Sequence, residues 1–286
     1  MATFTKQSFS RHRHSGKDIL NSCNGPIWIE YFAEYLNNSQ IHNFAYGASH
    51  ANRYDSAPDF IGREISYNVP ELDQQIDVYK ADEHVSKLSF DSTLFTVWEG
   101  ANDLDDTFSS GQVIEGGPVA ERVLKSVQTL VDHGAKHILV GEIAPLDLIP
   151  TFNKKHDVLP KLKIAMAEFN AKLAEGAAAI RAASPSLNLV IFDSRSVISE
   201  VVTEEGQLKY GFNNVADPCL AFASLTFCDE HDKYLFWDTA HPTTRAQKYL
   251  AQSAYNQLFG PTFEIPSNLE KVPSATKVVT MPSSWW

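Results

Sequence analysis

The chain has 286 residues, 43% hydrophobic and 21% charged, which is the balance of one or two folded domains with a buried core; 14 glycines and 14 prolines exclude a low-complexity or collagen-like chain. Asp plus Glu number 35 against 24 Lys plus Arg, a formal net charge of −11, and so acidic a surface repels phosphate backbones and argues against nucleic acid as the partner. Three cysteines are too few for a disulfide-dense scaffold, and no apolar run approaches the roughly 20 residues needed to span a bilayer.

In chain order, Met1 to Leu20 carry basic residues with no apolar stretch behind them, so they do not read as a secretory signal, and the chain as written is expected in the cytoplasm. Asn24-Gly25-Pro26 opens a helix. Ile27, Tyr31 and Tyr35 recur at helical spacing, as do Trp28, Phe32 and Leu36, and Pro26 suits a first turn. Ile41 to Tyr46 reads as a strand running into Gly47-Ala48-Ser49. Residues 51–90 are weakly patterned, apart from a helix opened by Val69-Pro70. Thr93 to Trp98 has β-branched and aromatic residues on both faces, the pattern of a buried parallel strand, and it stops at Glu99-Gly100. A helix follows over Pro118–His133, with Val119, Val123, Val127 and Leu130 on one face and Gly134 at its cap. Then come a strand from His137 to Gly141, a long helix over roughly 160–183, and a strand from Leu187 to Phe192. Asp193 suits the N-cap of a helix starting near Ser194. Residues 105–117 and 205–235 read as loop, Arg245–Leu258 as the last helix, and the proline-punctuated tail from Pro261 as irregular. There is no internal repeat. The alternation predicts a layered α/β domain over residues 24–260, between an atypical segment (1–23) and the tail (261–286).

Three features sit where strands meet loops, the place where open α/β sheets hold their ligands. Asp238 lies three residues before His241, close enough for its carboxylate to hold one imidazole nitrogen and leave the other facing a nucleophile. The plainer reading is a surface turn before a helix. Asn102, in Gly100-Ala101-Asn102-Asp103, can donate its amide to a developing oxyanion, or merely form a polar turn. Gly47 can aim its backbone N–H at the same point, a weak signal alone, since many strands end in glycine.

Together, NFAYGAS, WEGANDL and FWDTAHPT, in that order, resemble the GDSL/SGNH hydrolase family, and NGPIWIEYFAEYL, VPELDQQIDVY and DSTLFTVWEGANDL are similar to its lecithinase- and acetylesterase-like branch. The resemblance runs from about Asn24 to Leu258. It implies a three-layer α/β/α sandwich with a flavodoxin-like parallel sheet, of strand order 2-1-3-4-5. It also implies hydrolysis of a carboxylic ester, a small-molecule substrate with a small or medium acyl group, through a serine nucleophile and without a cofactor. By position, His241 is then the general base, Asp238 its orienter, and Gly47 and Asn102 the oxyanion donors.

The family's first block departs from the pattern. Ser8 aligns with the nucleophile and Phe9-Ser10 with the two positions after it, but Lys6 and Gln7 stand where the family has Gly and Asp, and only seven residues precede Ser8. Three readings stay open: Ser8 is the nucleophile on an altered turn; the scaffold is catalytically inactive and keeps a ligand-sized cleft; or the family's first strand and serine belong upstream of the sequence as given, in which case the protein is secreted. On the last reading the sheet lacks a proper first strand; on the first, Met1 to Thr5 offer barely one short strand. Among ten histidines, His133 and His137 have helical spacing but are separated by Gly134, and no Cys or carboxylate set joins them, so a metal site is not expected. Cys219 and Cys228 either close a small loop or stay reduced, according to compartment, and Cys23 has no general base beside it.

Overall fold

A computed structural model describes residues 2–5, 23–37, 39–51, 69–83, 85, 87–109, 115–221 and 226–260. Ser8, His12, His14 and the tail lie outside the described residues. Five strands form the main sheet: β1 (Ala2–Thr5), β2 (Gln40–Asn43), β3 (Leu94–Val97), β4 (His137–Gly141) and β5 (Asn188–Phe192), in the order β2-β1-β3-β4-β5. β3, β4 and β5 run parallel, with Leu94 opposite His137 and His137 opposite Asn188. Phe95, Val97, Ile138, Leu139 and Val140 are almost wholly shielded from water, as strands covered on both faces must be.

The helices complete three layers. α1 (Trp28–Tyr35), α6 (Ser194–Val201) and α8 (Thr244–Phe259) pack on one face. α2 (Leu72–Ala81), α4 (Gly116–Asp132) and α5 (Leu159–Ala183) pack on the other, with α3 (Ala101–Ser109) against α5. Trp28 marks the first interface: its ring stacks on Phe192 at 5.8 Å and meets the edge of Trp98 at 5.6 Å. Tyr79 marks the second, edge-on to Phe95 at 5.4 Å and to Phe44 at 5.7 Å. Such pairs add directional attraction to the burial of large apolar rings.

The order of the sheet is the expected one, but its first strand departs from the expected parallel geometry. A strand is present, and it runs antiparallel to both neighbours, with Ala2 opposite Asn43 and Thr96 and Thr5 opposite Gln40. A backbone in that slot pairs the facing N–H and C=O groups of β2 and β3 in either polarity, so the slot is filled without the parallel geometry. Thr5 therefore lies at the end of β2 away from Gly47.

Two stretches expected as loop carry structure. Residues 101–109 form α3 despite four Asn and Asp residues, because Gly100, at φ +106°, turns the chain into the helix at a point where the Phe169 ring leaves no room for a Cβ. Residues 204–236 hold α7 (Glu204–Tyr210), β6 (Asn214–Pro218), β7 (Leu220–Ala221), β8 (Thr226–Phe227) and β9 (Tyr234–Phe236). Cys219 and Cys228 are bonded, with Cα atoms 4.9 Å apart, across the β7–β8 pair. Asp193 does cap α6, accepting from Ser196 N at 2.9 Å. His133 ends α4 and His137 starts β4, on either side of Gly134 at φ +109°.

The bridge closes a loop of roughly ten residues, so replacing Cys219 and Cys228 with serine should lower unfolding stability by about 2–3 kcal/mol. Urea unfolding of the double variant beside the parent protein measures this; equal midpoints would show that the two-strand pair holds without its covalent link.

Candidate active site

The candidate residues lie in two groups, one after β2 and β3 and one between β9 and α8. After β2, Asn43 Oδ1 accepts from Ala45 N at 3.0 Å, and the chain turns through Gly47 and Ala48, the latter at φ +62°. The next three residues are tied down by groups distant in sequence. Ser49 O accepts from Asn102 Nδ2 at 2.7 Å, His50 N donates to Glu71 Oε2 at 2.6 Å, and Ala51 N donates to Asp103 Oδ2 at 3.0 Å. Asp103 is itself buried and paired with Arg122 at 3.1 Å. Asn102 is thus tied to the turn that carries Gly47 through Ser49. One N–H of the Asn102 amide is occupied by Ser49 O, and the amide carries a second.

The second half of the site lies between β9 and α8. The Asp238 carboxylate, on a side chain only 5% exposed, accepts three donors from two residues: Ala240 N at 2.8 Å, His241 N at 2.7 Å, and His241 Nδ1 at 2.7 Å to Oδ2 and 2.9 Å to Oδ1. An ionised carboxylate only accepts, so the Nδ1 proton is fixed toward Asp238 and Nε2 keeps its lone pair. The His241 side chain is 21% exposed. The turn closes with Trp237 N donating to His241 O at 2.7 Å, and Thr243 then caps α8. Asn24 and Gln247 lock the start of α8 to α1: Thr244 N donates to Asn24 Oδ1 at 2.8 Å and Trp28 N to Gln247 Oε1 at 3.1 Å.

The ends of β3 and β4 border this second half. Trp98, at the end of β3, donates its indole N–H to Glu142 O just past β4, and it lines a small apolar cavity with Pro145, Ile149, Phe236 and Pro242, next to His241. Thr151, in the loop after β4, donates both its N–H and its Oγ1–H to Thr239 O at 2.9 Å. That loop is anchored by Asp147 in the turn Leu146–Leu148, whose carboxylate receives Arg195 Nη1 at 2.7 Å and Nη2 at 2.9 Å, with Lys163 Nζ at 3.7 Å. Burial works to raise the Asp147 carboxyl, but the Arg195 bonds and the two cationic charges outweigh it and hold it below the usual range.

Two strand-end acids are not apparent from the sequence. Glu99 follows β3, and its pKa is pushed up to about 8, first by burial and then by the Asp103 charge. Glu142 follows β4 and is raised by burial and by Asp193. Strand ends facing a site are the available signal. Cys23 is buried, and burial drives its thiol to about 12, which leaves it protonated and unsuited to attack. Among the described residues no three His, Cys, Asp or Glu side chains converge as metal ligands, and no helix is long and apolar enough to cross a membrane. Ser8, the expected nucleophile, lies outside the described residues.

A three-layer α/β fold with an Asp-His turn between β9 and α8, and with Asn102 tied to the loop after β2, is a hydrolase-like scaffold. Residues 5–254 match the GDSL-like lipase/acylhydrolase family model, and the chain belongs to that family. It is 25% identical over 244 residues to the thermolabile hemolysin of Vibrio parahaemolyticus, covering 80% of this chain and 54% of that protein, so it spans about half of the hemolysin's length. It is also 24% identical to a GDSL esterase/lipase of Arabidopsis thaliana, over 88% of this chain and 84% of that one, and 24% identical to a second over 79% and 72%. Membership supports a lipase- or esterase-type hydrolase.

Glu99 yields a pH prediction. Its folded pKa, about 8, lies above the ordinary 4.5, so the native state holds the proton longer than the unfolded chain does. Stability from this group is full below about pH 4.5 and declines as pH rises toward 8. Glu99→Gln should therefore gain on the parent steadily between pH 5 and pH 8 in urea unfolding. A difference that stays constant across that range would show an ordinary carboxyl.

Proposed function

We propose that the chain hydrolyses a small or medium acyl carboxylic ester through a serine acyl-enzyme. The observation that carries this reading is the Asp238–His241 contact, which fixes the Nδ1 proton and leaves Nε2 as a base. His241 Nε2 takes the proton from the serine hydroxyl as its oxygen attacks the ester carbonyl. The tetrahedral oxyanion is held by Gly47 N–H and the second N–H of Asn102. Collapse expels the alcohol, which takes the proton from His241, and leaves the acyl group on serine. Water then attacks, His241 accepts its proton and returns it to the serine oxygen, and the carboxylic acid departs. Asp238 stabilises the imidazolium formed in each half. Ser8 is the nucleophile by position in the sequence. The Cys219–Cys228 bond supports the secreted alternative, since reducing compartments keep such thiols apart.

One observation favours a second reading, a catalytically inactive scaffold. β1 is antiparallel, and Thr5, three residues before Ser8, pairs with Gln40 at the end of β2 away from Gly47. The two readings separate on treating the purified chain with short p-nitrophenyl esters and a serine-directed phosphonate, followed by mass spectrometry. The esterase reading expects turnover and a phosphonate adduct on Ser8. It expects a loss of about 10³–10⁴-fold in kcat on Asp238→Asn, and of about 10²–10³-fold on Asn102→Ala. An adduct on a different serine overturns the Ser8 assignment alone. Absence of both turnover and adduct leaves the inactive scaffold.

A further inference from the structure

We propose that Thr151 is a positioning residue for His241, acting through the Thr239 carbonyl and held in place by the Asp147–Arg195 ion pair. The inference rests on the esterase reading and extends it to a loop that contributes none of the reacting groups.

The Asp238–His241 turn is fixed from within by the Asp238 carboxylate, which binds the N–H groups of Ala240 and His241. Nothing in those bonds fixes the turn relative to the sheet. Thr151 does, because both of its donors converge on the one carbonyl between Asp238 and Ala240. Two donors on one oxygen set its direction as well as its distance, and the same peptide plane carries Ala240 N–H, which points the other way, toward Asp238. Thr151 is in turn fixed by the loop behind it. Ile149 N donates to Leu146 O, and Phe152 and Asn153 donate back to Ile149 O, so residues 146–153 form one continuous set of turns. That set is bolted to the first turn of α6 by the bidentate Arg195 fork on Asp147, whose side chain is only 1% exposed. The path from α6 to the imidazole is Arg195, Asp147, Thr151, Thr239, Asp238, with every link a hydrogen bond or a short stretch of chain.

Thr151→Val preserves shape and removes the hydroxyl donor alone, while Thr151→Ser keeps it. The purified full chain is assayed on p-nitrophenyl butyrate, and backbone hydrogen exchange is followed by mass spectrometry. Thr151→Val should lower kcat about 3–10-fold with KM unchanged, and should speed exchange in a peptide covering residues 236–243 without altering peptides from β3 and β4. Thr151→Ser should restore both, and Arg195→Ala should act in the same direction as Thr151→Val. A raised KM with kcat unchanged would place Thr151 against substrate and overturn the proposal, as would unchanged exchange over 236–243 in Thr151→Val. If the parent shows no turnover, the esterase reading fails by itself, and the exchange comparison alone still decides whether Thr151 positions the turn.

Discussion

The site depends on one buried carboxylate that satisfies three donors within a span of four residues. Asp238 has almost no exposed surface, so its charge is tolerable only because Ala240 N, His241 N and His241 Nδ1 all point at it. The same bonds that stabilise the charge choose the imidazole tautomer. Stability and chemistry are here one arrangement: any geometry that releases the ring from Asp238 also leaves a buried anion short of a donor.

The opposite wall is built in a different way. Gly47 lies in the loop after β2 and Asn102 in the first turn of α3 after β3, and the Asn102–Ser49 bond joins the two. Asp103 and Glu71 then use their carboxylates to hold the neighbouring backbone N–H groups of Ala51 and His50. Polar residues that resemble an ordinary turn in sequence serve as ties between loops in the folded chain.

How much of this is legible in the sequence depends on the range of the interactions. β4 matches its expected bounds, and α5 lies within about a residue of them, because burial on a regular period is a local signal. The Asp238–His241 contact is equally local, three residues apart. α3 reads as loop because Asn102, Asp103, Asp105 and Asp106 are poor helix formers; its start is imposed by Gly100 lying against Phe169, a partner far along the chain. The short strands between 214 and 236 carry too few residues to show a period, and a disulfide closes one of their pairs. The polarity of β1 is unreadable for another reason: a four-residue strand bonded through backbone on both edges has the same alternation in either direction. Thr151 and Thr239, separated by 88 residues, leave no mark in the sequence at all.

The length of α5 has a consequence for the shape of the molecule. Asn170 Oδ1 accepts from Ile143 N, level with the end of β4, and Arg181 donates to Leu189 O, level with the start of β5. The eleven steps between them rise about 16 Å, the height of a five-residue strand. The earlier half of the helix, from Leu159 to Phe169, therefore stands a further 15 Å or so above the rim of the sheet, like a parapet. That flank of the sheet's edge is bounded by a rigid rail of helix rather than by loop, and the edge is lopsided by construction.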